Sequence, residues 1–487
     1  MTTQFAPETS LSSLERASLA YQTLVGLREA DIKYCLWKSF DRLKEGIRGA
    51  TDFDILMEKE QRQLVFNTLR QNGWCEVLSE PWRRFPDVHD FLQYDPVHKK
   101  FIHFHVHFRL VMGEKLIKSL SLPLESLYLK TAVEGEGIFY AMPELEMCVF
   151  ILRLSLKVSL RDYARVIRRR DPRRIYLNLI PEFEHIHPRC DRDLLKALLE
   201  DPAFSFIDGN LVLETFDDIH SLNYSRRRQI KRCIAPYRRY GTLMRFWVHL
   251  SRSSQKKSFG LGKVLPKQGL SFAFCGPDGS GKTTLVDSIE NLLRRHFKVA
   301  RFYMGGNNSS RDLPRWIFSI GFRKLFLGIR KLCRILGFQP GVDRIERLYF
   351  GYTNYLMAKE KQNRYRRGKS EAERGAIVLY ERFPLFQGLG GDGGSLSGSA
   401  CFEKNERKCY DQIGAPDIIF VLQVDSENAI ERKPDHLPEV IRKKTTAFER
   451  FIEKNSSNSN LVIIDANASM DFILETALDP INAKLKA

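Results

Sequence analysis

The sequence lacks the paired cysteines of a disulfide framework or a zinc ribbon. Its nine cysteines are scattered over 487 residues, and none forms a Cys-x-x-Cys pair. The first residues also lack a basic segment followed by an apolar core, so no secretory signal is expected. These absences together predict a protein of a reducing compartment, the cytoplasm.

Long apolar runs are absent as well. The most apolar stretch, from Trp316 to Phe338, is interrupted by five Lys or Arg side chains and cannot span a bilayer. The cations recur at helical spacing, which predicts an amphipathic helix with Ile329 and Leu332 on its apolar side. We expect that side to pack on its own domain. Contact with a membrane surface or a lipid substrate is the alternative.

Acidic residues are outnumbered by basic ones. The chain has 59 Asp and Glu against 77 Lys and Arg, a formal net charge of +18. Such a charge attracts nucleotides, small phosphorylated molecules, nucleic acid or an acidic membrane surface, without choosing among them. With 43% hydrophobic residues the chain is not expected to be disordered. At 487 residues it is too long for a single hydrophobic core, so we expect two or three domains.

Patterning divides the chain into three predicted segments. Residues 1–140 mix helix and strand patterns, as an α+β domain does, and include a hairpin-like pair of strand patterns at Phe91–Tyr94 and Phe101–Phe108. Residues 141–262 are mainly helical and basic, ending in a Ser-, Lys- and Gly-rich linker from Ser251 to Gly262. Residues 266–487 alternate strands and helices, which predicts an α/β domain with a parallel sheet. Its predicted strands are Leu270–Cys275, Val299–Gly305, Ala376–Glu381, Ile418–Val424 and Leu461–Asp465, with a mobile loop at Gly391–Ser395.

A glycine-rich loop follows the first of these strands. Residues 276–284 read Gly-Pro-Asp-Gly-Ser-Gly-Lys-Thr-Thr and precede a helical pattern. Glycines let successive backbone N–H groups point at an anion, the lysine reaches the outer phosphates, and a threonine hydroxyl holds magnesium. The pattern predicts a bound nucleoside triphosphate with Mg²⁺, contacted by Gly276, Gly279, Ser280, Gly281, Lys282, Thr283 and Thr284.

Charged residues follow two later strands. Glu381 and Arg382 end the predicted strand Ala376–Glu381, at the sheet edge where ligands bind. Glu381 is expected to hold magnesium through water or to accept a proton, and Arg382 to bind an acceptor phosphate; a structural ion pair is the alternative. The cations expected to close over the phosphates, or to form a solvated helix face, are Arg432, Lys433, Arg442, Lys443 and Lys444.

With these blocks in order, residues 270–485 resemble the thymidylate kinase-like branch of the nucleotide kinases. The resemblance rests on residues 276–284, 375–383, 416–425 and 462–466. It implies ATP-dependent, magnesium-assisted phosphoryl transfer on a five-stranded parallel sheet. By the same resemblance, Lys282 and Thr283 contact the donor phosphates, Asp278 faces the acceptor and Arg432 lies in the lid.

Two departures from that family concern the acceptor. Residues 302–308 replace the family's Phe-x-Arg-Glu-Pro segment, so the arginine that binds the thymidylate phosphate is missing. Glu381 replaces an aspartate and is one methylene longer, which shifts its carboxylate by about 1 Å. The missing arginine argues against thymidylate as acceptor, and the longer Glu381, a proton acceptor or metal ligand, predicts a retuned or weakened activity.

The N-terminal segment contains a second acidic pattern. Asp52 and Asp54 alternate on a predicted strand, where paired acids hold the divalent ions that bridge a triphosphate. Together with Lys38-Ser39, where Gly-Ser would be expected, the first 110 residues or so resemble the nucleotidyltransferase superfamily. The strand expected to supply a third acid instead offers His103, His105 and His107. Imidazole prefers transition metals to magnesium, so nucleotidyl transfer, another metal or ligand role, and a structural or substrate-holding role all remain open.

Three functions follow from these patterns. The leading hypothesis is a cytoplasmic phosphotransferase that uses ATP on a nucleoside monophosphate or another small phosphorylated or hydroxyl acceptor. The second is a nucleotide-gated binding or regulatory protein with a degenerate kinase, and the third is a nucleotidyltransferase working with the kinase domain. Arginine clusters such as Arg168–Arg170 are expected to form a solvated basic face of a helix. Binding of nucleic acid is the alternative, although no nucleic-acid module is present, and homodimer formation stays open.

Overall fold

The computed structural model describes residues 11–38, 42–113, 117–157, 180–219, 222–259, 262–305, 313–335, 337, 339–384, 400–455 and 459–486. Ser39, Arg168–Arg170 and the predicted loop Gly391–Ser395 lie outside these residues. The chain divides into two compact units, Met1–Leu261 and Gly262–Leu485, which we call the first and second units. Within the described ranges, no helix is long and apolar enough to cross a membrane.

The first unit is built on a seven-stranded mixed sheet of order β3-β4-β5-β2-β1-β9-β8, beside a two-stranded ribbon of β6 and β7. The predicted hairpin is confirmed, because β4 and β5 pair antiparallel. The strands are β1 Tyr34–Leu36, β2 Phe53–Met57, β3 Cys75–Val77, β4 Val88–Asp95, β5 Lys100–His107, β6 Val111–Met112, β7 Leu120–Ser121, β8 Val133–Gly135 and β9 Ile138–Tyr140.

Helices cover this sheet and continue into a helical region. Buried side chains from β1, such as Cys35, share one hydrophobic core with those of the later helices, such as Leu195 and Ile230. The helices are α1 Ser13–Arg16, α2 Leu19–Glu29, α3 Leu43–Ile47, α4 Arg62–Gln71, α5 Glu125–Lys130, α6 Pro143–Lys157, α7 Ile180–Ile186, α8 Arg192–Leu199, α9 Gly209–Asp217, α10 Tyr224–Cys233 and α11 Thr242–Phe259.

The linker predicted from Ser251 to Gly262 is wrong over most of its length. Helix α11 continues to Phe259, through the Ser- and Lys-rich sequence. Lysine and glutamine favour helices, serine is tolerated on an exposed face, and the two glycines come only after the helix has ended. Composition alone therefore failed to separate a polar helix from a linker.

The second unit contains a five-stranded sheet that is parallel throughout, as predicted. Its order is β11-β12-β10-β13-β14, so β10 is central and pairs with β12 and β13. Strands buried on both faces are near-continuous apolar runs, and every residue of β12 is buried. The observed bounds agree with the predicted ones to within two residues: β10 Ser271–Cys275, β11 Val299–Tyr303, β12 Ile377–Glu381, β13 Ile418–Gln423 and β14 Leu461–Asp465.

Seven helices of this unit fall in the described ranges, and the second of them includes the predicted amphipathic stretch as far as Ile335. In that helix Phe326 is buried and stacks on Tyr349 with 4.1 Å between ring centroids, whereas Ile329 and Leu332, of the predicted apolar side, are exposed. Packing of that side on its own domain is therefore wrong for these two residues. The helices are α12 Lys282–Leu293, α13 Leu313–Ile335, α14 Gln339–Glu373, α15 Ala400–Asp411, α16 Ser426–Glu431, α17 Pro438–Asn455 and α18 Met470–Lys486.

Candidate functional site

The glycine-rich loop, residues 276–284, joins β10 to α12 and depends on its glycines. Gly276, Gly279 and Gly281 have φ angles of 152°, 86° and 80°, which L-residues rarely adopt. A Cβ on Gly279 would lie 2.6 Å from the carbonyl oxygen of Ala429, so a side chain is excluded by space as well. The loop can fold tightly against α16 only with glycine at this position.

Lys282 begins α12 and turns its side chain back into the loop. The side chain is buried, and its Nζ donates to the carbonyl oxygens of Gly276 at 2.7 Å and Pro277 at 2.6 Å, with Ser280 Oγ at 3.4 Å. The ammonium therefore lies inside the loop beside the positive end of a helix of 12 residues. An anion entering the loop would meet the ammonium and the first N–H groups of that helix together.

Glu381 lies at the carboxyl end of β12, directly opposite Phe274 of β10. This register brings its carboxylate to the start of α12, where Oε1 accepts a hydrogen bond from Thr283 Oγ1 at 2.7 Å. The two predicted magnesium residues therefore lie together, Glu381 buried and Thr283 exposed. A hydroxyl and a carboxylate are hard oxygen donors of the kind that Mg²⁺ prefers.

Arg301 on β11 was missed by sequence reasoning. Its Nη2 donates to Glu381 Oε2 at 2.6 Å, and its Nη1 donates to Asp287 and to Glu290. Burial alone would lower the pKa of Arg301, but hydrogen bonds to the three carboxylates raise it. The available signal was an arginine within the otherwise apolar strand Val299–Tyr303.

Asp278, in the middle of the loop, is held by two cations. Lys444 Nζ lies 2.6 Å from Asp278 Oδ2, and Arg382 Nη2 lies 3.5 Å from Oδ1. Burial would raise the pKa of the Asp278 carboxyl, but the hydrogen bond from Lys444 and the charges of Lys444, Lys282 and Arg382 hold it below its usual value. Asp278 is therefore a carboxylate at neutral pH.

The other predicted cations are placed differently from Lys444. Arg432 is exposed, and its Nη1 donates to the carbonyl oxygen of Ala466 at 2.9 Å, a contact with the segment after β14. The side chains of Lys433, Arg442 and Lys443 are exposed. Of the five predicted cations, Lys444 is therefore the one that the structure brings to the glycine-rich loop, and the lid role of Arg432 stays a prediction.

Arg382 has an unusual backbone conformation for its residue type. Its φ is 57°, and its N–H donates to the carbonyl oxygen of Phe274 at 3.0 Å. The guanidinium lies over the ring of Tyr303, 5.7 Å from the ring centroid. A non-glycine residue at this φ costs about 1–2 kcal/mol, and such strain is found often at functional sites.

A second cluster lies on the sheet of the first unit, around Asp54. Asp54 Oδ1 is 3.3 Å from His105 Nδ1, 3.2 Å from His107 Nε2 and 3.0 Å from Lys38 Nζ. Burial would raise the pKa of the Asp54 carboxyl, but the charge of Lys38 and hydrogen bonds from both histidines hold it well below its usual value. Burial lowers the pKa of His105 and lowers that of His107 to about 3. At neutral pH the cluster therefore contains one carboxylate and two neutral imidazoles.

The remaining predicted residues continue this cluster across the sheet. His103 lies between two carboxylates, with Nδ1 2.8 Å from Asp52 Oδ1 and Nε2 2.8 Å from Asp90 Oδ1. Asp90 on β4 was not singled out from the sequence, although it pairs with His105 and also lies 3.3 Å from His105 Nε2. The available signal was a carboxylate directly before the predicted strand Phe91–Tyr94. An acid does lie near the Asp52–Asp54 pair, one strand further along than expected.

Comparison with known proteins finds relatives in Escherichia coli, among them two proteins of strain K12. The chain is 24% identical over 217 residues to the uncharacterized ATP-binding protein YghR, covering 42% of this chain and 84% of YghR. It is also 24% identical over 228 residues to the uncharacterized ATP-binding protein YghS, covering 44% of this chain and 92% of YghS. No protein-family model matches the chain.

Solved structures of two kinases also match part of the chain. Deoxyadenosine kinase from M. mycoides with bound dATP is 13% identical, covers 44% of this chain and has a TM-score of 0.26. Thymidylate kinase from Candida albicans is 14% identical, covers 45% of this chain and has a TM-score of 0.27.

Proposed function

We propose that the second unit is an ATP-dependent phosphotransferase of the nucleotide-kinase type. The observation that carries this proposal is the position of Lys282, whose ammonium is held inside a loop of left-handed glycines at the start of a helix. The names of YghR and YghS, which describe ATP-binding proteins, support the same nucleotide. The acceptor we propose is a nucleoside monophosphate or another small phosphorylated or hydroxyl compound.

Each polar residue around the glycine-rich loop has a separate role in this proposal. Lys282 and the loop N–H groups bind the donor phosphates, as lysines and backbone amides do in phosphoryl transfer. Thr283 and Glu381 would hold Mg²⁺, which neutralises charge on the phosphates when bound. Arg301, bonded to the second carboxylate oxygen, keeps Glu381 oriented.

The acceptor side of the site is assigned to Asp278 and Arg382. Arg382 presents a guanidinium at the carboxyl edge of the sheet, where it binds an acceptor phosphate through paired hydrogen bonds. Asp278 orients the acceptor and is kept ionised by Lys444, 2.6 Å away. The absence of the Phe-x-Arg-Glu-Pro segment argues for an acceptor other than thymidylate.

The test is transfer of labelled phosphate from ATP, with Mg²⁺, to nucleoside monophosphates, sugars and sugar phosphates. We expect one acceptor class to be labelled, and Lys282→Ala to lose transfer by at least about a hundredfold because its charge contact with the phosphates is removed. The matched control is Lys404→Ala, which removes an exposed lysine of α15. Undiminished transfer by Lys282→Ala would refute the role of the loop.

A nucleotide-gated binding protein is the second candidate, favoured by the contacts of Glu381. Both of its carboxylate oxygens are engaged, one by Thr283 and one by Arg301, which disfavours release of the carboxylate for chemistry. ATP binding in calorimetry without label transfer to any acceptor would favour this candidate over the kinase. Nucleotidyl transfer by the first unit stays a prediction, tested by loss of adenylylated product in Asp52→Asn with Asp54→Asn.

A further inference from the structure

Three ligand-type atoms of the first unit converge on one point of its sheet. Asp54 Oδ1, His105 Nδ1 and His107 Nε2 all lie within 4.8 Å of one another. The oxygen is 3.3 Å from the first nitrogen and 3.2 Å from the second. In a tetrahedral site with bonds of about 2.0–2.1 Å, neighbouring ligand atoms are about 3.3–3.4 Å apart, so these two distances already fit a metal ion.

The strands fix this arrangement without help from loops. Asp54 on β2 is the direct partner of His105 on β5 in a parallel ladder. His107 is two residues further along β5 and so points to the same face of the sheet as His105. Sites built on paired strands hold their ligands more precisely than sites built on loops.

A buried carboxylate behind His105 has the position that orients a metal-bound imidazole. His105 Nε2, the nitrogen directed away from Asp54, lies 3.3 Å from Asp90 Oδ1. The other oxygen of Asp90 accepts a hydrogen bond from Ser79 Oγ at 2.6 Å, and Ser79 and Asp90 are both buried. His105 Nδ1 donates to Asp54 in the metal-free protein, so metal binding requires the proton to lie on Nε2 instead. The Asp90 carboxylate can accept it there, which leaves the Nδ1 lone pair for the metal.

We propose that Asp54, His105 and His107 bind a divalent transition-metal ion of the zinc type, with a fourth position for water or a ligand oxygen. Two imidazoles and one carboxylate are a donor set for zinc-like ions, whereas magnesium takes oxygen ligands. This site differs from the magnesium pair expected from Asp52 and Asp54. Asp52 instead lies 2.8 Å from His103 Nδ1, with its side chain 55% exposed.

Lys38 competes with the metal ion for Asp54. Its Nζ lies 3.0 Å from the same Asp54 oxygen that would bind the metal, with both side chains largely buried. A metal ion and an ammonium group compete for one carboxylate oxygen, so the lysine neutralises Asp54 in the metal-free protein and is displaced when the metal binds. Removing the lysine charge should therefore tighten metal binding, an effect that a purely structural ion-pair cluster would not show.

The test is a cobalt titration of the full-length protein after treatment with a chelator. Co²⁺ substitutes for Zn²⁺ and gives visible absorption bands whose intensity reports tetrahedral coordination. We expect one saturable equivalent, bound at least about tenfold more weakly by His105→Gln and by Asp54→Asn. The matched control is His98→Gln, because His98 Nδ1 also contacts a carboxylate, that of Asp95 at 2.8 Å, outside the cluster.

Lys38→Met is a second test, in which the expected change in Co²⁺ affinity has the opposite sign. It should bind Co²⁺ more tightly than the wild-type chain, and this comparison stands even if the histidine variants fail to fold. Thiolate-to-cobalt absorption would assign the ion to cysteine and overturn the proposal. It is overturned equally if no visible bands appear, if His105→Gln binds as tightly as His98→Gln, or if Lys38→Met shows no gain in affinity.

Discussion

Arg382 retains a conformation that glycine adopts without strain. At a φ of 57°, replacement by glycine should relieve the backbone, whereas alanine keeps the strain and loses the side chain. We expect Arg382→Gly to be more stable than Arg382→Ala by about 1 kcal/mol, with phosphoryl transfer lost in both. Thermal unfolding of the second unit, together with the labelled-phosphate assay, measures the two effects. Equal stability of the two variants would contradict the strain assigned to this residue.

His185 on α7 should make the first unit sensitive to acid. Burial, with the charge of Arg189 nearby, lowers the pKa of His185 to about 4. As the pH falls, the unfolded chain therefore protonates His185 before the folded chain does. The contribution of neutral His185 to folding stability is complete above about pH 6.5 and is lost between about pH 6.5 and pH 4. The full shift in the pKa of His185 corresponds to a loss of at most about 3 kcal/mol in the free energy of unfolding. Partial exposure of His185 to solvent makes the actual loss smaller.

Urea unfolding between pH 4 and pH 7 measures this dependence. Tryptophan fluorescence follows mainly the first unit, because Trp37, Trp74, Trp82 and Trp247 belong to it. His185→Gln should flatten the dependence of stability on pH, and the exposed His249→Gln serves as control. An unchanged slope in His185→Gln would assign the acid sensitivity to other groups.

Among the elements, α8 depends on a single capping side chain. Asp191 precedes the helix, and its Oδ1 accepts hydrogen bonds from the N–H groups of Asp193 at 2.8 Å and Leu194 at 3.1 Å. Asp191→Ala leaves both N–H groups without this acceptor and should cost about 1 kcal/mol of stability. Asp193→Ala, which removes an exposed carboxylate from the same first turn, should cost only a few tenths of that amount. Denaturant unfolding of the two variants distinguishes the cap from general charge effects.

Element types were predictable where one local pattern decided them. The strands β10–β14 are apolar runs between turn residues, and their bounds were found to within two residues. Helix α11 was read in part as a linker because its second half is rich in Ser and Lys. The signal that contradicts a linker is local too: the exposed apolar residues Leu243, Phe246, Trp247 and Leu250 follow helical spacing from the first half.

Site residues could be predicted where they are contiguous in the sequence. They could not be predicted where strand pairing brings distant residues together. The glycine-rich loop is one segment, so its glycines and Lys282 could be identified from the sequence. Arg301 reaches Glu381 only because β11 lies beside β12, and Asp90 reaches His105 only because β4 pairs with β5. Pairing between distant segments is set by tertiary packing, which no local pattern encodes.

For the whole molecule, composition and periodicity predicted a parallel sheet in the second unit but not the order of its strands. The order places β10 in the centre, although β11 follows it in the chain and lies at the edge. The mixed sheet of the first unit was predicted only as an α+β mixture, and its seven-stranded order was not. Strand order is set by how the connections between strands cross and pack on the sheet, a property of the folded chain as a whole.

The central position of β10 has a consequence during synthesis on the ribosome. Its two neighbours, β12 and β13, begin about 105 and about 145 residues after the start of β10, so at roughly 5–20 residues per second they emerge many seconds after it. Throughout that interval Phe272 and Phe274, fully buried in the finished protein, have no strand to pair with. We therefore expect a chaperone to bind β10 most readily in a nascent chain that is halted just before Ile377.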